Sequence, residues 1–68
     1  MSIHELARYY LSQKQTVRAA GLMIKLVETE PTQENLELLA EIYTQQGLFD
    51  AAAALYVRVV KMGLKRSH

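Results

Sequence analysis

Apolar residues recur every three or four positions in four stretches of this chain, with polar breaks between them. That spacing marks one face of a helix and not the alternation of a half-buried strand. Ile3, Leu6, Ala7, Tyr10 and Leu11 predict a first helix from about Ile3 to Gln13, opened by Ser2 and Glu5 at the spacing of a capping box. The run Ser12 to Gln15 holds neither Gly nor Pro, so the turn there is read from lost periodicity alone. Thr16 is placed to cap a second helix carrying Val17, Ala19, Ala20, Leu22, Met23, Ile24, Leu26 and Val27, with a narrow polar stripe of Arg18, Lys25 and Glu28. Gly21 inside it costs about 1 kcal/mol against Ala, and either marks a close helix crossing or is merely tolerated. Pro31 turns Glu30 away from the helical region and ends the segment.

Thr32 is expected to cap a third helix, with Glu34 in the first turn, where the helix dipole favours a carboxylate. Leu36, Leu39, Ala40 and Tyr43 form its apolar stripe, widened by Leu38 and Ile42, and Gly47 supplies a left-handed stop. The fourth helix is expected to end at Gly63, with Leu64 folding back as the hydrophobic partner of a Schellman cap. Its charges Asp50, Arg58 and Lys61 fall within an arc of about 80°, which leaves about 240° apolar. One core needs far less than that, so the helix is expected to pack on two sides.

Sliding the sequence by 33 residues lays Ile3 on Leu36, Leu6 on Leu39, Ala7 on Ala40 and Tyr10 on Tyr43. It also lays Ala19 on Ala52, Ala20 on Ala53, Leu22 on Leu55, Met23 on Tyr56 and Leu26 on Val59. Apolar size is matched pair by pair, which predicts two similar helical hairpins rather than four unrelated helices. The second unit, Leu36-x-x-Leu39-Ala40-x-x-Tyr43, Gly47, Phe49, Ala52-x-x-x-Tyr56, resembles the tetratricopeptide repeat family, and the first unit follows it through Pro31. The resemblance spans nearly the whole chain. It departs from the family at Ile3 and Leu36, where Trp is favoured, at Lys14 for the turn glycine, at Leu64 for the second proline, and in falling one short of the usual 34 residues.

The resemblance implies an all-α fold, two antiparallel helix-turn-helix hairpins stacked as a fragment of a right-handed solenoid. One domain is expected over residues 1–65, with units at about 1–32 and 33–65. Residues 66–68, Arg66 to His68, are read as the remnant of an expression tag. Stacked repeats usually need about three units and a polar cap. In a stack, Ala20, Ile24 and Val27 would meet Leu36, Leu39 and Tyr43, whereas their counterparts Ala53, Val57 and Val60 have no following unit. Those three, widened by Leu55 and Met62, are the expected interface for a second copy, making a homo-oligomer, or for a partner helix; the bland account is the cut end of a longer array. The family's ligand-facing positions correspond here to His4, Arg8, Leu11 and Ser12, then Glu34, Glu37, Glu41 and Gln45. The bland account of that groove is a solvated face with Arg8 near Glu41, worth under about 1 kcal/mol. The asparagine-and-lysine clamp that some members use for a chaperone's C-terminal carboxylate is missing.

Composition narrows the rest. A chain of 68 residues makes one small core worth a few kcal/mol, and with Cys 0 it has no disulfide or thiolate site to reinforce it. A formal net charge of +1 gives no field toward nucleic acid or anionic lipid, and no apolar run reaches membrane-spanning length. With no secretory signal pattern at the start, the default location is the cytoplasm. His4-Glu5-Leu6-Ala7-Arg8 begins like a zinc-protease helix, but Arg8 stands where the second histidine is required. No cofactor, metal site or nucleophile is expected, and the chain is not read as an enzyme. The function expected is a non-enzymatic protein-interaction scaffold that self-associates or binds a partner helix through its C-terminal hairpin. The alternative is a small dedicated chaperone or adaptor sequestering an amphipathic subunit of a bacterial secretion or pilus system.

Overall fold

A computed structural model describes residues 1–66 as four helices: α1 Ile3–Ser12, α2 Thr16–Thr29, α3 Gln33–Gln45 and α4 Phe49–Arg66. Ser67 and His68, two of the three residues read as a tag remnant, lie outside the described residues, as do the side chains of Lys65 and Arg66.

The helix starts follow local chemistry at two of the expected places. Ser2 Oγ accepts from Glu5 N at 3.0 Å and Glu5 Oε1 accepts from Ser2 N at 3.1 Å, a complete capping box. Thr32 Oγ1 accepts from Asn35 N at 3.2 Å and opens α3. Thr16 does not cap α2. It is the first helical residue, and Gln15 before it makes no side-chain capping bond. The preceding turn is too tight to leave Thr16 outside the helix.

That turn is a Schellman motif: Gln15 N donates to Tyr10 O at 2.9 Å and Lys14 N to Leu11 O at 3.0 Å, with Lys14 at φ 61. The second hairpin repeats it, as Leu48 N donates to Tyr43 O at 2.9 Å and Gly47 N to Thr44 O at 3.0 Å, with Gly47 at φ 78. Lys14 and Gly47 are repeat equivalents, so the two units share a turn although only one supplies the glycine that its backbone favours. The expected stop at Gly63 is not taken. Gly63 is not among the left-handed glycines, and α4 runs through it to Arg66. A helix tolerates one glycine at a cost of about 1 kcal/mol.

Each hairpin closes on alanine. Ala7, Ala19, Ala40 and Ala52 are all buried, so the two helices of each unit approach closely at the crossing. Gly21 takes no part in such an approach, because a Cβ built there meets nothing within 4 Å. Contacts are most extensive within the hairpins, α3 with α4 and α1 with α2, and next between α2 and α3. One continuous core results, in which Met23, Leu36, Leu38 and Ile42 are the largest fully buried side chains. Two stacked antiparallel hairpins with a shared core define the class, a helical-repeat protein.

Candidate interaction surface

The repeat symmetry separates surface that is exposed by design from surface that lacks a neighbour. In α2 the face toward α3 buries Ala20 and Met23 and half-buries Val27, with Met23 at 0% exposure. Their equivalents in α4 are Ala53, Tyr56 at 45% and Val60 at 60%, all exposed. The same chemistry stands on both helices, and only the earlier one is covered. Ile24 is 42% exposed although α3 covers its helix, and its equivalent Val57 is 51% exposed, so this pair differs less than Met23 and Tyr56 do. The uncovered face is therefore centred on Ala53, Tyr56 and Val60, with Val57 at its edge and Leu64 beyond.

Two residues expected to widen that face belong elsewhere. Leu55 is buried in the core, and Met62 is half-buried against it, because both lie on the side of α4 that meets α3. Tyr56 is the residue that sequence reasoning left out of the face. Its pairing with Met23 in the repeat register was visible, but full burial of Met23 was not.

The groove side gathers His4, Arg8, Glu34, Glu37 and Glu41 around an open cavity of about 310 Å³, lined also by buried Leu38 and by Tyr56. Arg8 Nη2 lies 3.7 Å from Glu41 Oε2, both side chains about half exposed, an ion pair worth under about 1 kcal/mol in solvent. Glu37 Oε2 accepts from Gln33 Nε2 at 3.1 Å. Of the other expected groove residues, Leu11 is buried in the core, and the Ser12 hydroxyl turns back to donate to Tyr9 O at 2.6 Å. Gln45 is exposed and does not line this cavity.

His4 is held from beneath. Its Nδ1 lies 2.9 Å from Asn35 Oδ1, while Asn35 Nδ2 donates to Glu30 O at 2.9 Å. Since the amide nitrogen is committed to Glu30, Asn35 presents an acceptor to His4, which assigns the hydrogen to His4 Nδ1. Among the described residues Asn35 is the buried polar residue of the core, and through it α1, the linker before α3 and α3 itself are tied together. Glu5, on the same helix, has its carboxyl held below the usual carboxylate range, first by the backbone hydrogen bond from Ser2 and then by the Ser2 hydroxyl. Among the described residues, no group of three or more His, Cys, Asp or Glu side chains is placed to hold a metal ion. No helix among them is long and apolar enough to cross a membrane.

Residues 36–68, just under half of the chain, match the family model for the tetratricopeptide repeat, so the second hairpin is similar to such a repeat. No curated protein and no solved structure matches the chain significantly. Repeats of this family are generally non-enzymatic scaffolds for contacts between proteins.

Proposed function

We propose that this protein is an interaction module whose α4 face takes up an apolar helix, either from a second copy or from a different protein. The observation that carries this reading is the contrast between Met23 and Tyr56, equivalent residues of which only the first is covered. A helix laid on Ala53, Tyr56 and Val60 would do for α4 what α3 does for α2. It would also lengthen the groove, because Tyr56 borders both surfaces. The chaperone reading differs only in the source of the helix, an amphipathic subunit kept from aggregating, and the same face serves it. The groove residues His4, Arg8, Glu34, Glu37 and Glu41 are then a secondary contact for the polar side of the bound segment.

Titrating a panel of amphipathic helical peptides, followed by fluorescence anisotropy, tests the reading. Binding of at least one peptide, lost in Val60→Lys while the fold is kept, is the expected result. A chain that binds none of them and also stays a single copy at high concentration contradicts it.

A further inference from the structure

The uncovered side of α4 is spaced like one half of a helix pair. From Ala53 its exposed apolar residues step by four, three and four positions to Val57, Val60 and Leu64, the spacing of a coiled-coil seam, and Phe49 extends it by a turn. The opposite side holds buried Ala52 and Leu55 with half-buried Val59 and Met62, so the seam is not the face that α4 gives to its own hairpin. From Phe49 to Leu64 the strip is about 22 Å long at the helical rise. One flank of it is charged, with Asp50 near the start and Lys61 near the end, both exposed.

A second copy could meet this strip in two ways. Head to tail, α1 of the next copy would take the place over α4 that α3 has over α2. The two helices are not alike on that face: where α3 buries Leu38 and Ile42, α1 has Glu5 and exposed Tyr9. Glu5 is already engaged with Ser2 as a carboxylate below its usual range, and covering it would bury a charge. The surface that suits the strip is the strip itself.

We infer that the occupant is α4 of a second copy, packed antiparallel to the first about a two-fold axis. This rests on the reading above, that the α4 face takes up a helix. Antiparallel symmetry keeps the two charged flanks on the same side of the pair and runs them in opposite directions. Asp50 of each copy then comes opposite Lys61 of the other, and Ala53 lies near Val60 of the other copy, small against large. Parallel pairing would turn the Lys61 flank toward the Tyr56 side and leave Asp50 facing no cation. The contact is isologous and closes at two copies. A single helix pair of this length buries less than the ~1,200 Å² of a stable interface, so association depends on concentration.

Sedimentation velocity of the full chain from about 5 to 500 µM, with circular dichroism on each variant, tests the inference. Wild type is expected to move from one copy toward two. Val60→Lys weakens association by at least about tenfold, and Asp50→Lys or Lys61→Asp by about fivefold each. The double swap Asp50→Lys with Lys61→Asp restores it. Both exchanges oppose the helix dipole, so a purely structural effect makes the double variant worse, not better. The inference is overturned by a single copy at every concentration, by growth beyond two copies, or by a double swap that fails to restore association. A single copy that nevertheless binds an added amphipathic peptide overturns the second copy and leaves the interaction face standing. One that binds neither removes both.

Discussion

Met23 and Tyr56 stand at equivalent positions of the two hairpins, yet Met23 is sealed between α2 and its neighbours while nearly half of Tyr56 meets solvent. Truncation should expose this difference as energy. Met23→Ala removes a fully buried side chain and leaves a cavity, a loss of about 2–5 kcal/mol. In a chain this small such a loss is a large part of the total stability. Tyr56→Ala under dilute conditions should cost about 1 kcal/mol or less, because the ring keeps much of its water. Urea unfolding of the two variants checks the contrast, and a Tyr56→Ala loss equal to that of Met23→Ala speaks against an uncovered face.

Two exposed backbone positions should respond to substitution in ways their contacts alone do not suggest. Gly21 is an exposed helical residue with open space where a Cβ would stand, so Gly21→Ala should add about 1 kcal/mol. Lys14 sits at φ 61 in the turn where its equivalent is Gly47, and Lys14→Gly should add about 0.5–1 kcal/mol by relieving the left-handed strain. Thermal melts of both variants at one concentration are the check. A loss at Gly21→Ala would restore the close crossing that the sequence suggested.

Asn35 links three segments while buried, accepting from His4 and donating to the Glu30 carbonyl. Asn35→Ala leaves that carbonyl and the His4 ring without these partners, and a loss of about 1–3 kcal/mol is expected. Asn35→Asp should be no rescue, since it removes the amide donor and brings a buried charge beside the Glu30 carbonyl. Denaturant midpoints for the two variants, compared with His4→Ala, report how much of the loss passes through the imidazole.

The α1 start should be sensitive to acid. The carboxyl of Glu5 titrates below its ordinary value in the folded chain, so folding binds fewer protons there than unfolding does. Its contribution is present above the ordinary carboxylate range and is lost as pH falls through the lowered folded value. Glu5→Gln keeps the shape of the capping box and should flatten that part of the pH profile. Following α1 by amide exchange from pH 7 downward measures it, and an unchanged acid limb in the variant assigns the loss to other carboxylates.

Most of the framework was legible because it is local. Ser2 with Glu5, Thr32, Pro31 and Gly47 each act through bonds or dihedrals within a few residues, and the match of Ala7 to Ala40 and Ala19 to Ala52 carried the hairpin register. The departures are places where a neighbour decided. Thr16 looks like a cap until the Schellman turn at Lys14 draws it into the helix. Gly63 looks like a stop until α4 continues through it. Leu11 was assigned to the groove by resemblance to the family and Leu55 to the outer face of α4 by its place beside the apolar stripe, and neither shows how far a neighbouring helix wraps around the residue. Asn35 gave no signal at all, since an asparagine in the first turn of a helix is ordinarily a solvated one and only packing of α1 across it makes it part of the core.

The central claim is that the α4 face formed by Ala53, Tyr56 and Val60, with Val57 at its edge, is covered by a helix in the working protein, and the methyl resonances of its two valines report on it directly. Val17 is 77% exposed on α2, away from that face, and serves as an internal reference. Raising the protein concentration or adding an amphipathic helical peptide is expected to shift the Val57 and Val60 methyls and give contacts to a second helix, with Val17 unmoved. Val57 and Val60 methyls that stay with Val17 through both titrations would contradict the account.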